Sequence, residues 1–325
     1  MQKKKSLLAL YKESFDDSVE YVDNFFSKYY TAKNTKYILA DGQIVSALHV
    51  VYKHLSCWGK VSKIPFLVGV ATKLQYRKQG YFKRLMAKTL TELARQNYPF
   101  VLLYPADRIL YEKVGFVTVS RVGHFKAKYD GRDSTFVDAS PMQVCSFFND
   151  AYSSVSILQY RTLSETKKII SRWKAEGFLP RIVSRDGKFA CVACSDVGVE
   201  EAIGDLSVLN GVKNFDEKVF VDYSSREQPF AMARLVSLVA LLKNLNYQTF
   251  EGEYRFKVID SFCQFNQMIV CLSFKYGKPI IKKSKKYDFC VDATQLARLA
   301  FGEEVPNCPL NSLIKKGEVV FVDMY

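Results

Sequence analysis

Val68-Gly-Val-Ala-Thr-Lys-Leu-Gln-Tyr-Arg-Lys-Gln-Gly-Tyr-Phe-Lys-Arg-Leu85 is the stretch that decides the fold of this 325-residue chain. The apolar run at 64–71 reads as a buried strand. A loop rich in donors and positive charge follows, and a helix opens at Gly80 and Tyr81. Amides in the first turn of a helix have no partner inside it, and the helix dipole adds partial positive charge there. A pyrophosphate suits such a place. Gly80 removes a Cβ where the chain must turn tightly, and Arg77, Lys78 and Lys83 bring charge to the turn.

Working outward, residues 81–97 form an amphipathic helix with Phe82, Leu85, Met86, Leu90, Leu93 and Ala94 on one face. Before the loop, residues 37–40 and 43–52 flank Asp41-Gly42 as a hairpin, and 60–71 is a long, buried strand pair or strand. Residues 6–30 have helical spacing, broken near Asp16 and Asp17, where Asp17 or Ser18 caps a second helix. After the helix come a strand at 100–104, a short helix at 106–114 and a strand at 116–122. This order is a compact α/β unit.

The pattern breaks at 128–134. Helices follow at 141–152 and 164–177, with strands at 182–184, 188–195 and 201–208. The last region opens with a helix at 231–245. It continues with strands at 248–259, 268–276 and 286–291 and a closing helix at 292–301. No repeat of 20–50 residues and no low-complexity tract occurs.

Composition narrows the class. With 48% hydrophobic and 25% charged residues, the chain is neither disordered nor a coiled coil. Its 14% aromatic residues favour β-rich cores. The longest apolar stretch, at 235–242, is under half of the roughly 20 residues a membrane span needs. The basic start Met-Gln-Lys-Lys-Lys lacks a cleavage site, so the expected location is the cytoplasm. Eight scattered cysteines read as reduced, buried thiols. Cys191 and Cys194 form a lone CxxC in a strand-like run, without the second pair or the histidine that a zinc site needs.

The net charge of +14 is uneven. Residues 1–130 hold 22 Lys/Arg against 10 Asp/Glu, whereas 131–325 hold 25 against 23. A basic first third suits a polyanion: nucleic acid, a membrane surface or a phosphate-bearing cofactor. No RNA-binding aromatic motif, zinc finger or helix-turn-helix is present, so neither nucleic acid nor membrane is the expected partner. The runs at 3–5 and 282–286 read as solvated ends and turns. His49, His54 and His124 match no catalytic spacing and read as structural or surface groups.

Arg77-Lys78-Gln79-Gly80-Tyr81-Phe82 resembles the pyrophosphate loop of the GNAT family of N-acetyltransferases, Arg/Gln-x-x-Gly-x-Gly/Ala, with Phe82 replacing the last small residue. Thirty-four positions after Arg77, Tyr111-Glu-Lys-Val-Gly-Phe116 matches the family's Tyr-x-x-x-Gly-Phe/Tyr segment. The branch it looks most similar to is the enhanced intracellular survival family, where large apolar residues follow Arg-x-x-Gly. The resemblance implies an acetyltransferase domain at 1–130, a degenerate acetyltransferase-like region at 131–225 and a sterol-carrier-protein-like α+β domain at 226–325.

The resemblance also implies roles. Strand residues Val70, Ala71 and Thr72 would bind the pantetheine arm of acetyl-CoA through free backbone groups and polarise its thioester. Arg77, Lys78, Gln79, Gly80, Tyr81, Phe82 and Lys83 would hold the pyrophosphate. Ala106, with Asp107 beside it, would line the cofactor. Tyr111 matches the general acid, and a phenol of ordinary pKa near 10 can protonate a leaving thiolate. In the resembled branch the terminal carboxylate reaches the active site, which here is that of Tyr325, with Asp323 as a second carboxylate. Taken as plain residues, Val70 and Ala71 are core strand positions, Tyr111 is an aromatic packing group, and the greasy end Val319-Val-Phe321 is an edge strand.

The expected activity is direct transfer of acetyl from acetyl-CoA to a primary amine, with no metal. Aminoglycoside-like drugs, polyamines and lysine side chains all stay open as acceptors, although the low acidity of 1–130 argues mildly against a polycation. The alternative is an apolar-ligand-binding protein whose transferase site is vestigial.

Overall fold

Asp41 and Gly42, at φ +49° and +72°, close the hairpin between β1 (Thr35–Ala40) and β2 (Gln43–Cys57), as an Asp-Gly pair favours. The computed structural model describes residues 2–57, 59–196, 198–249 and 251–321. On its other side β2 pairs antiparallel with β3 (Lys60–Thr72) from Cys57 opposite Lys60 to Ser46 opposite Thr72. Both faces of these strands are covered, which is why their sequence runs apolar without clean alternation.

Helix α1 (Gln2–Ser14) and α2 (Val19–Lys28) precede the sheet, and Ser18 caps α2 by accepting from the Tyr21 amide. Their Leu7, Leu10, Tyr11, Val22, Phe25 and Phe26 are buried on one face of the sheet. Helix α3 (Tyr81–Arg95) lies on the other face and buries Leu85, Met86, Leu90 and Leu93 against Leu48, Val50, Leu67, Val101 and Leu103. Each of these four side chains contributes about 1.5–3 kcal/mol on burial. Strand β4 (Phe100–Leu103), helix α4 (Arg108–Glu112) and strands β5 (Val117–Thr118) and β6 (Arg121–Lys126) follow.

The middle of the chain supplies β7 (Thr135–Asp138), α5 (Pro141–Ala151), β8 (Ile157–Tyr160), α6 (Leu163–Ala175), β9 (Leu179–Arg185), β10 (Lys188–Cys194) and β11 (Val199–Gly204). Capping boxes at Ser140/Gln143 and Thr162/Glu165 start the two helices. Strands β12 (Val219–Asp222) and β13 (Gln228–Pro229) flank β6. Then come β14 (Met232–Leu235), α7 (Leu238–Asn244), β15 (Glu253–Ile259), β16 (Met268–Lys275), β17 (Lys278–Lys283), β18 (Phe289–Asp292), α8 (Ala293–Ala300) and β19 (Val319–Val320).

The central sheet is mixed, in the order β19-β8-β2-β3-β4-β14-β5, with β1 also on β2. It therefore takes strands from all along the chain. Separate four-stranded sheets run β11-β10-β9-β7 and β17-β16-β15-β18. The architecture is α/β, as the sequence implies.

Several element expectations are corrected. Residues 231–245 are not one helix: β14 inserts between β4 and β5, and α7 starts only after Ser237, whose hydroxyl accepts from the Ala240 amide. Sheet pairing on both sides overrides the helical spacing there. Lys282 and Lys283 belong to edge strand β17 rather than a turn, in keeping with lysines on exposed edges. The expected strand at 201–208 ends at Gly204, and that at 248–259 starts at Glu253.

His49 is a core histidine. Its ring lies 5.2 Å, 5.6 Å and 5.9 Å from the rings of Phe25, Phe26 and Tyr30. The Thr35 hydroxyl donates to the Thr31 carbonyl, so at 2.9 Å it accepts from His49 Nδ1. Burial lowers the imidazole pKa from 6.5 to about 4. The unfolded chain thus binds a proton that the folded one refuses, and stability falls as pH drops from 6.5 toward 4. This group accounts for up to about 3 kcal/mol of that loss. His49→Gln is expected to flatten the pH dependence of the urea midpoint in that window; an unchanged slope would refute the assignment.

Candidate active site

Strands β3 and β4 share only the parallel pairs Phe66–Leu102 and Leu67–Leu103. β4 ends there, while β3 runs on to Thr72 still paired with β2. The two strands diverge, and the β4-facing edge of β3 at Val70, Ala71 and Thr72 opens into a cavity of about 650 Å³. The other edge is secured: Ser46 Oγ donates to the Ala71 carbonyl at 3.0 Å, and the Lys73 amide donates to Val45 O at 2.9 Å.

The cavity floor is the loop into α3. A short 3-10 turn, Leu74–Tyr76, is pinned where Tyr76 donates to Asp41 Oδ2 at 3.1 Å and accepts from Gln43 Nε2 at 2.9 Å. Arg77 Nε donates to the Thr72 carbonyl at 3.1 Å, which leaves its terminal nitrogens without a partner among the described residues. Lys78 has φ +62° and Gly80 φ +83°. A Cβ at Gly80 would meet nothing within 4 Å. Glycine is therefore required here by the left-handed backbone and not by crowding within the chain. Gly80 is the N-cap of α3 and gives no side-chain cap, and the first turn carries no acid. The amides of Tyr81, Phe82 and Lys83 remain available to an anion.

The inner wall is Tyr111, buried at the end of α4. Asp107 starts that helix by accepting from the amides of Ile109 and Leu110 at 3.0 Å and 3.4 Å. The Tyr111 ring meets Phe82 and Phe116 edge-on, each with centroids 5.7 Å apart. Burial, with the Asp107 charge added, raises the phenol pKa above its ordinary value. It stays protonated at neutral pH, and among the described residues its hydroxyl has no hydrogen-bond partner. Phe82 is thus a wall of the Tyr111 pocket and packs with the α3 core cluster.

Val70, Ala71, Thr72, Arg77, Lys78, Gly80, Tyr81, Phe82, Lys83, Ala106 and Tyr111 all line this one cavity. Gln79 does not: it is exposed and its Nε2 donates back to the Gln75 carbonyl at 2.8 Å. Tyr325 and Asp323 lie outside the described residues. Ser14, Phe15, Tyr76, Asp107 and Leu110 complete the lining. Ser14 and Phe15 carry no motif, and the only sequence signal for them is the break in helical spacing at Asp16. Among the described residues, no three His, Cys, Asp or Glu side chains group as a metal site.

A strand edge, a cationic helix terminus and a neutral phenol around one cavity suit a long ligand with a diphosphate at one end and a reacting group at the other. Residues 2–119 match the family model described as an acetyltransferase (GNAT) domain. Among solved structures, the chain resembles a probable N-acyltransferase from Enterococcus faecalis V583 at 17% identity, covering 100% of this chain and 97% of that one, with TM-score 0.79. It resembles a GCN5-related N-acetyltransferase from Kribbella flavida at 14% identity, covering 100% and 98%, with TM-score 0.71. It also resembles Eis1 from Mycobacterium abscessus at 12% identity, covering 99% and 97%, with TM-score 0.70. At such identities the likeness establishes the fold. No curated protein matches the chain. Residues 2–119 thus match a GNAT acetyltransferase domain, and the whole length of the chain shares a fold with these three structures.

Since Gly80 is needed for its backbone alone, Gly80→Ala is expected to cost about 1–2 kcal/mol. Gly80→Asn, which tolerates the left-handed region, should cost less. Equal urea midpoints for both variants and the parent would contradict this.

Proposed function

We propose that the protein is an N-acetyltransferase that moves acetyl from acetyl-CoA directly to a primary amine. What supports this most is that ten of the eleven residues expected to hold the cofactor, together with Tyr111, surround a single cavity. The diphosphate sits on the amides of Tyr81, Phe82 and Lys83, with Arg77, Lys78 and Lys83 around it. The pantetheine arm lies between the diverging strands and takes the backbone bonds that β4 does not supply to β3 past Leu67. An amide there polarises the thioester carbonyl.

The amine nitrogen attacks that carbonyl, the C–S bond breaks, and the sulfur leaves as a thiolate. Tyr111 donates its proton to the sulfur as the bond breaks. Its raised pKa keeps the phenol neutral and ready at neutral pH. The amine must lose one proton to a base. His49 is buried in the core and does not line this cavity. We assign the base to the α-carboxylate of Tyr325, with Asp323 as the second choice. Val319, Val320 and Phe321, which precede these residues, are buried, and β19 pairs parallel with β8.

Two further readings accompany this one. The sheet β17-β16-β15-β18 backed by α8 is the part of residues 226–325 that favours a sterol-carrier-like region. All eight cysteines are free thiols, which suits a reducing cytoplasm.

Mixing the protein with acetyl-CoA and a panel of amines while following free thiol tests the activity. Tyr111→Phe is expected to lower kcat by about 10²-fold with the KM for acetyl-CoA within about twofold. Deleting Tyr325 should also slow turnover. If both variants turn over at the parent rate, these two catalytic assignments are wrong.

A further inference from the structure

Arg234 is a buried cation in the central sheet, one strand in from the β5 edge. It sits on β14, opposite Val101 of β4, and is 1% exposed. Three of its nitrogens are used. Nε donates to the Val114 carbonyl at 2.8 Å, Nη1 to the Leu235 carbonyl at 2.9 Å, and Nη2 to Asp260 Oδ1 at 2.6 Å. Asp260, 2% exposed, is held in turn. Its Oδ1 accepts from the amides of Phe262 and Cys263 at 3.1 Å and 2.8 Å, and its Oδ2 accepts from Asn266 Nδ2 at 3.0 Å. Asn266 Oδ1 closes the network by accepting from the Leu238 amide at 3.1 Å.

The far end of this network is the turn that carries Tyr111. The Tyr111 carbonyl accepts from the amides of both Val114 and Phe116, at 3.0 Å and 3.1 Å. The carbonyl of that same Val114 is the one Arg234 holds. Gly115, at φ +83°, lies against the Arg234 side chain: a Cβ there would fall 2.8 Å from Arg234 Nε. Cys263, beside Asp260, packs in the same cluster as Tyr111, Val114 and Phe116. So one peptide unit separates a rigid charged anchor from the backbone of the tyrosine. An ordinary apolar contact would tolerate small slips of this turn; a charge-assisted bond at fixed geometry does not.

We propose that Arg234, locked by Asp260, is a positioning residue for Tyr111, fixing the α4–β5 turn so that the phenol meets the sulfur of the thioester. This rests on the reading of Tyr111 as the general acid. On that view residues from the last third of the chain set the geometry of a group within residues 2–119, and the transferase site is incomplete without them.

The test uses the full chain with 3-fluorotyrosine incorporated in place of Tyr111. Arg234→Lys should shift or broaden the fluorine resonance and lower kcat about tenfold, with the KM for acetyl-CoA within about twofold. Asp260→Asn, a milder change, should move both in the same direction and carries the comparison if Arg234→Lys does not fold. Arg161→Lys alters another buried pair, Arg161–Glu201. It should lower the melting temperature yet leave the resonance and kcat in place. In a Tyr111→Phe background, Arg234→Lys should cause no further loss of kcat. An unmoved resonance, or losses that multiply in the double variant, would overturn the positioning role. If the resonance moves but Tyr111→Phe turns over normally, Arg234 still positions the ring and it is the acid role of Tyr111 that fails.

Discussion

Two residue pairs, Phe66–Leu102 and Leu67–Leu103, are all that join β3 to β4. A strand deep in a sheet ordinarily satisfies its backbone on both sides, because an unpaired buried amide or carbonyl costs about 1–3 kcal/mol. Here β3 continues past Leu67 with one edge open. That open edge faces a cavity and not a neighbouring strand. The cost is tolerable where a ligand or water supplies the missing bonds, and the rest of the site is arranged around this gap. The loop at 73–80 swings away from the strand end, and α3 begins with its amides pointing at the same space.

The gap is kept open by what lies beyond it. β14 takes the other edge of β4, so β4 is committed on that side. On the far side of β3, β2 is long enough to hold β1 near one end and β8 near the other. The helices α1 and α2 close one face and α3 the other. Residues far apart in the sequence thus hold the strands that flank the gap. Arg234 and Asp260 carry this furthest, since they tie the turn after Tyr111 to a loop that follows β15.

The local parts of the site could be read from the chain alone. Arg77, Gly80 and Tyr111 sit in short patterns whose chemistry depends on near neighbours: a positive φ, a helix terminus, a short helix capped by Asp107. The amphipathic face of α3 and the Asp41-Gly42 turn were legible for the same reason. What could not be read depends on distant pairing. β14 reads as the start of a helix until β4 and β5 are placed on either side of it. β8 is too short to stand out, whereas the edge strand read at 319–321 is β19. Ser14 and Phe15 reach the cavity only because α1 packs across β3, and Gln79, inside the motif, turns its side chain back to Gln75.

The most direct measurement is amide hydrogen exchange of the protein with coenzyme A and with pantetheine, which lacks the diphosphate. Coenzyme A should slow exchange both at 70–72 and at 81–83, whereas pantetheine should slow it at 70–72 alone. Protection by coenzyme A that leaves both segments unchanged would mean that the cofactor does not enter the gap between the strands.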